Sequence, residues 1–330
     1  MRVVYLLPHA GMCGGVKVIA EHVTGLCARG IDAAVWGLTG GFGWFPRPVP
    51  YFVFPSTDAL GAAMQTETDA RFVATFWITA SWVPPNLRGA SRGFYLIQDH
   101  DELTYGGSSA GTSYRQGLTH ITEGKFVTNE ITRLYGTPCR NVGIGVDSNV
   151  FAPLPMIRER FRVLTPFRTH SAGPAGLKGW DVAETALRKL AAAEPRASVV
   201  TFGIEGGPVV DWMPHIHLHY PSDAKLRELY AQSGVFLSAS RHEGFGLPML
   251  EAMACACPVV CTDANGNREF CRDGATALVS PSGDADGLAG NLARVMGDPG
   301  AASRIGAAGL AESTRYRWTE VIDRLVAVLG

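Results

Sequence analysis

The sequence predicts an α/β protein of two doubly wound halves, each a parallel sheet covered by helices. Three observations carry this expectation. Short β-rich runs alternate with stretches of helical apolar spacing from one end of the chain to the other, the pattern of parallel strands joined by helical crossovers. The alternation pauses at a polar, Pro-containing segment, "GIGVDSNVFAPLP" (143–155), and then restarts, which puts a linker near residues 145 to 155. A chain of 330 residues, 46% hydrophobic and 18% charged, is too long for one ordinary core and apolar enough for two.

Taken in order, the strands expected in the first half are "RVVYLL", "DAAVWGL", "YFVF", "RFVATFW", "GFYLIQ", "THIT" and "RNVGIG". Between the first two lies "GVKVIAEHVTGLCARG", apolar at helical spacing, with Gly30 just past its end as a C-cap should be. The second half offers "RVLTPF", a helix in "WDVAETALRKLAAA", and then strands "ASVVTFG", "IHLHY", "VFLSAS", "PVVCT" and "TALVS". Two such halves are expected to form a cleft between the carboxyl ends of their sheets, where doubly wound folds bind ligands.

Charge and cysteine usage narrow the function. A formal net charge of −1 and no run of basic residues argue against nucleic acid and against a strongly anionic membrane surface, so any anionic ligand must be held locally. Only "VVYLL" precedes Pro8 and His9, too short for a secretion signal. The longest apolar run, "FVATFWITASWV", falls short of the ~18 residues of a membrane span. The chain reads as cytoplasmic, with at most a transient contact at the inner membrane face. Seven cysteines, an odd number, read as reduced thiols. Cys255, Cys257, Cys261 and Cys271 lack the paired spacing of a zinc site and read as small buried side chains.

The stretch "SASRHEGFGLPMLEAMACACPVV" (238–260) carries the most chemistry. It follows a strand and enters a helix near Pro248, a residue favoured in the first helical turn. Glu243 therefore lies in a loop and Glu251 on the helix, with Gly244 and Gly246 allowing close backbone approach and free N–H groups at the helix start. This is a ready anion site. A second Gly-rich loop, "PFRTHSAGPAGLKGW" (166–180), offers Arg168 and Lys178 after another strand. Arg suits paired phosphate oxygens and Lys acts as a point charge.

Residues 240–292, from "SRHEGFGLPMLEAMACACPVVCTD" onward, resemble the donor-binding half of the family 4 glycosyltransferases of GT-B fold, whose signature is E-x7-E followed by a helix and a Pro-Val-Val strand. "GGVKVIAEH" resembles that family's first Gly-rich loop, "IGVDSNVFAP" its interdomain linker, "FRTHSAGPAGLKG" its phosphate loop and "RYRWTEVIDRLVAVL" its closing helix. The resemblance implies a Rossmann-like acceptor domain over 1–150, on which a closing helix at about 316–330 packs back, and a donor domain over 151–315. It implies a retaining transfer of a hexosyl or deoxyhexosyl group from a nucleotide-diphosphate sugar to a hydroxyl of a glycan, lipid-linked or small-molecule acceptor. "FVATFWITASWV" and "GFYLIQDHDE" look most like the rhamnosyltransferase branch, which builds surface polysaccharides.

Residue by residue, the resemblance gives Arg168 and Lys178 to the donor diphosphate, with backbone N–H groups of Gly244, Phe245, Gly246 and Leu247. Glu251 would hold the ribose and Glu243 the transferred sugar. Gly14 and Gly15 would approach the donor phosphate, and His100 would face donor and acceptor as a catalytic group with Glu243. No metal and no cofactor beyond the nucleotide sugar are implied. Arg168 and Lys178 stand ten apart, farther than is usual in the family, and Ala256 stands where Gly is common. Asp99-His100-Asp101 and Asp284-Ala285-Asp286 are D-x-D patterns without metal context. Trp44, Trp77 and Trp82 are candidates to stack on a sugar or aglycone, and "HLHYPSDAKL" is the candidate region for base contacts.

Rival readings are a glycosidase using Glu243 and Glu251 across one bond, a nicotinamide oxidoreductase, and an epimerase or non-catalytic nucleotide-sugar binder of the same fold. The glycosidase leaves Arg168 and Lys178 idle. The oxidoreductase needs a G-x-G-x-x-G after a strand, which "PHAGMCGGVK" does not provide.

Overall fold

The computed structural model describes residues 1–101, 108–169 and 176–330, and of residues 108 and 109 the backbone only. The chain forms two compact units, one of Met1–Gly145 with Trp318–Gly330 and the other of Val146–Arg317.

The first unit holds a parallel sheet of seven strands: β1 (Arg2–Ala10), β2 (Asp32–Gly40), β3 (Tyr51–Val53), β4 (Ala70–Ala74), β5 (Arg92–Ile97), β6 (Thr119–Thr122) and β7 (Cys139–Asn141), in the order β3-β2-β1-β4-β5-β6-β7. Successive side chains of a strand point to opposite faces, and β1 feeds two cores. Val3, Tyr5 and Leu7 pack with the helix Gly14–Ala28 and the closing helix Trp318–Leu329. Val4 and Leu6 pack on the other face with Leu60, Met64, Phe72 and Tyr95. Covered on both faces, the central strands read as continuous apolar runs, as parallel strands do.

The helix Gly14–Ala28 ends as its sequence requires. Gly30 has φ +75°. Its N–H donates to Cys27 O at 2.9 Å and that of Ile31 to Leu26 O at 3.1 Å, the bond pair of a Schellman cap. Near this end Gly25 admits the closing helix, because a Cβ there would meet Ile322 Cγ1 at 2.6 Å. Arg29 donates to Asp323, Arg71 to the Leu329 carbonyl and Arg324 to the Val142 carbonyl, so the last helix is fixed to the first unit at three points.

The second unit holds six parallel strands: β8 (Glu159–Pro166), β9 (Ser198–Gly203), β10 (His215–His219), β11 (Ser233–Ser238), β12 (Val259–Thr262) and β13 (Leu278–Ser280), in the order β10-β9-β8-β11-β12-β13. The helix Trp180–Ala193 coincides with the predicted "WDVAETALRKLAAA" and buries Val182, Ala183, Ala186, Leu187 and Leu190.

Two strands stop three or more residues earlier than the sequence predicts. "RNVGIG" forms only the end of β7, since Gly143 at φ +77° breaks the extended run. "RFVATFW" ends at Ala74 because the Thr79 hydroxyl accepts from the N–H groups of Thr75 and Phe76 and opens the short helix Trp77–Ala80. Among the described residues no helix is long and apolar enough to cross a membrane.

Candidate functional site

In the second sheet the strand order reverses between β8 and β11, and ligands of doubly wound sheets bind outside the carboxyl ends of the strands at such a reversal. The segment leaving β8 carries Arg168 and Lys178, and the segment leaving β11 carries Glu243 to Leu247. Sheet topology thus brings together the two loops that the sequence singled out.

The turn after β11 is built for close approach. Gly246 has φ +102°, and a Cβ there would meet Met249 Cε at 2.5 Å. It is the N-cap of the helix Leu247–Ala254 and supplies no side-chain cap, so the first N–H groups of that helix lack the usual side-chain acceptor. Phe245 points its ring inward, 5.1 Å from Phe270 and 5.8 Å from Tyr316, which anchors the turn. The far end of the helix is strained. Ala256 has φ +54°, donates to Met253 O, and is followed by Cys257 donating to Ala252 O, a Schellman cap with alanine at the position that favours glycine.

The two glutamates have different partners. Glu243 accepts from Lys178 Nζ at 2.7 Å and from the Ser240 hydroxyl at 2.7 Å. Glu251 is buried in the helix and accepts from the Tyr230 hydroxyl at 3.4 Å. An acid/base pair across one glycosidic bond would need both carboxyls to face a shared space; these serve separate networks.

Sequence reasoning missed the loop that braces Glu243. Its N–H donates to Ala264 O at 2.9 Å, and its carbonyl accepts from Gly266 N–H at 3.0 Å. Between them Asn265 has φ +70° and ψ −78°, and Gly266 N–H also reaches Ala264 O, a γ-turn of the rare, strained hand. Asn265 Nδ2 donates to His242 Nδ1 at 3.1 Å. Buried Asn267 accepts from Ala264 N–H and donates to Thr262 O. A Cβ on Gly266 would lie 2.2 Å from Gly244 O. The polar run "TDANGN" signals a turn, but its strand-like bridge to Glu243 is tertiary.

Arg168 follows the end of β8, and its Nε is buried without a hydrogen-bond partner among the described residues. An unpaired buried guanidinium nitrogen is costly, and an anion beside it would remove the cost. Lys178 sits at the other end of the lengthened loop, of which His170 to Ala175 lie outside the described residues. Gly179 has φ +65°, and a Cβ there would stand 1.9 Å from Ala239 O, so the Lys178 turn lies directly on the segment leaving β11.

In the first sheet the order reverses between β1 and β4. Gly14 and Gly15 open the helix that follows β1. A Cβ on Gly14 would meet nothing, whereas one on Gly15 would lie 2.7 Å from Gln98 Oε1 and displace that amide. Gln98 Nε2 donates to Gly15 O at 3.1 Å and to Glu123 Oε1 at 3.1 Å. Glu123, which the sequence did not flag, is buried, and burial pushes its carboxyl up to about 8 against the hydrogen bond from Gln98.

His100 is buried, 3.4 Å from the Tyr135 hydroxyl through Nε2, and its ring lies among Tyr114 and Tyr135. Asp101 accepts from the Tyr95 hydroxyl, and its own N–H donates to the Tyr114 hydroxyl. Burial raises its carboxyl to about 7, and Asp99 adds in the same direction. Asp101 therefore belongs to the tyrosine cluster under His100. The other D-x-D is also structural: Asp284 caps a helix through Gly287 N–H, and Asp286 pairs with Lys189. No three His, Cys, Asp or Glu side chains cluster as a metal site among the described residues.

Cys255, Cys257, Cys261 and Cys271 are free and buried, and burial raises the first two thiols to about 12 and about 11. Trp44 and Trp82 pack on the cores of the first unit, while Trp77 follows β4 with Nε1 buried and unpaired among the described residues.

Residues 212–311 match the family model described as glycosyl transferases group 1. The O-antigen chain mannosyltransferase B of Escherichia coli is 34% identical over 115 residues, 35% of this chain and 29% of that protein. The D-inositol 3-phosphate glycosyltransferase of Thermobispora bispora is 25% identical over 224 residues, 60% of this chain and 52% of its own. The chain thus spans about half the length, or less, of these relatives. Among solved structures, Anabaena HepE in complex with UDP-glucose superposes with a TM-score of 0.83 at 16% identity, covering 100% of this chain and 99% of that one. WaaG, a glycosyltransferase involved in lipopolysaccharide biosynthesis, gives a TM-score of 0.78 at 13% identity, covering 99% of both chains. The fold is GT-B, with two Rossmann-like units, and the residues that match the group 1 model lie in the second unit.

Proposed function

We propose that the protein is a retaining glycosyltransferase that moves a hexosyl or deoxyhexosyl group from a nucleotide-diphosphate sugar to an acceptor hydroxyl in polysaccharide or glycoconjugate synthesis, without a metal. The observation that carries the reading is the Arg168 Nε at the strand-order reversal, buried and without a partner among the described residues, which shares that reversal with the uncapped start of the helix Leu247–Ala254. An anionic diphosphate satisfies both. HepE, of the same fold, has been solved with UDP-glucose, which supports a nucleotide sugar as the ligand.

In this reading Arg168, Lys178 and the helix start stabilise the charge that builds on the leaving diphosphate, the largest kind of contribution such a site can make. Lys178 also holds Glu243 through its ammonium, so the residue assigned to the transferred sugar is tied to a residue assigned to the phosphates. Glu251, deeper on the helix, takes the ribose, and the region around Tyr220, exposed at φ +50°, is the place for the base. His100, set among Tyr114 and Tyr135, is the candidate for proton exchange, a role histidine commonly takes. In the first unit the reading assigns Gly14, Gly15 and His100 as site residues.

A thermal-shift screen of UDP, TDP, GDP and ADP and their sugars tests the reading. At least one should raise the melting temperature by several degrees at ~100 Kd, and turnover with that donor should persist in EDTA. No shift with any nucleotide would overturn it.

A further inference from the structure

The geometry assigns Arg241 as a positioning residue for Lys178: its guanidinium clasps the chain on both sides of Lys178 and so fixes the ammonium beside Glu243. This rests on the reading above that Lys178 serves the donor diphosphate.

Arg241 Nη1 donates to Gly176 O at 2.8 Å, two residues before Lys178, and to Asp181 Oδ1 at 2.7 Å, three residues after it. Nη2 completes a two-pronged pair with Asp181 Oδ2 at 2.6 Å. The planar fork of arginine can span a carbonyl and a carboxylate at once, whereas a lysine ammonium is a single point. The backbone adds a third tie, since Arg241 N–H donates to Leu177 O at 2.8 Å. Inside the clasp Gly179 N–H donates to Gly176 O at 2.9 Å, closing the turn that presents Lys178. From this turn Nζ reaches Glu243 Oε2 at 2.7 Å.

The clasp explains how the lengthened loop keeps its lysine in place. Residues inserted between Arg168 and Lys178 would loosen an unrestrained turn, because longer loops hold their ends with more entropy loss. Here the downstream end of the loop is pinned from Gly176 onward to the segment after β11. Both Nη1 hydrogens and one on Nη2 are committed to Gly176 and Asp181, so the greater part of this guanidinium's donor capacity goes to the clasp.

A double-mutant cycle with Arg241→Ala and Lys178→Ala tests this, with UDP, TDP, GDP and ADP titrated by calorimetry. Arg241→Ala should weaken the nucleotide that binds by about tenfold, with an intermediate loss for Arg241→Lys. In the Lys178→Ala background the Arg241→Ala change should have little further effect, because both act on one group. The Leu177 bond uses backbone and survives every variant, so the turn keeps one tie. A crystal structure of Arg241→Ala should show Nζ withdrawn from Glu243. Unchanged affinity in Arg241→Ala, the same loss in both backgrounds, or Lys178 still on Glu243 in that crystal would overturn the assignment. If none of the four nucleotides binds the wild type, the proposed function fails instead, and the Lys178 position in the variant crystal still decides the structural claim.

Discussion

The two strand-order reversals of this chain handle charge in opposite ways. In the second unit the charges are paired across loops: Lys178 with Glu243, and Arg241 with Asp181. In the first unit two acidic groups near Gly15 and His100 are withdrawn from solvent, and burial lifts Glu123 to about 8 and Asp101 to about 7. Neighbouring His22 and His120 are pushed down to about 3 and about 4 by burial. One region sets its cations beside carboxylates; in the other, burial favours the protonated form of two carboxyls. Pairing answers a carboxylate's charge by attraction, and burial answers it by removing the charge.

The contrast can be broken most forcefully at Gly179. With Ala239 O at 1.9 Å from the position of a Cβ, Gly179→Ala should cost about 3 kcal/mol or more of stability, read by urea denaturation, and should abolish the nucleotide-induced thermal shift. Next in size is Lys178→Ala, expected to weaken donor binding by roughly 10- to 100-fold in calorimetry while leaving the fold intact by circular dichroism.

The first unit is tested through pH. Glu123 keeps its proton in the folded state up to about 8, while an unfolded carboxyl loses it near 4.5. Between those values the unfolded state releases a proton the folded state retains, so stability falls as pH rises, by about 1.4 kcal/mol per unit. Glu123→Gln removes that loss and keeps an acceptor for Gln98. The variant should therefore be more stable than the wild type at pH 8, on the order of 3 kcal/mol, with the gain gone near pH 4. The smallest effect is at Ala256, where φ is +54°: Ala256→Gly should raise stability by about 1 kcal/mol and leave nucleotide affinity unchanged.

Much of this was legible in the sequence. Every strand in the two sheets was foreseen from β-rich runs, because parallel strands buried on both faces leave an apolar signature that local reading can find. The Glu243 to Glu251 spacing, the Gly246 turn and the Pro248 helix start were equally plain, since caps and glycine turns are written within a few residues. Ala256 too was flagged from its neighbours.

What escaped lies in contacts that join distant segments. Arg241 reaches Gly176 and Asp181 from some sixty residues away, and nothing near "SRHE" announces which loop it will clasp. Asn265 reads as an ordinary turn residue until β12 places it against Glu243. Glu123 looks like a surface charge after "THIT", and only burial under Gln98 makes it a protonated acid. Pairing and desolvation are tertiary quantities, and local patterns do not encode them.

The central claim is that the strand-order reversal of the second sheet holds a nucleoside diphosphate through Arg168 and Lys178. Calorimetric titration of UDP, TDP, GDP and ADP into the wild type and into the Arg168→Ala/Lys178→Ala double variant tests it most directly. One nucleotide should bind the wild type, and its affinity should fall by about 100-fold or more in the double variant. Equal affinity in the two proteins, or no binding of any of the four to the wild type, would contradict the account.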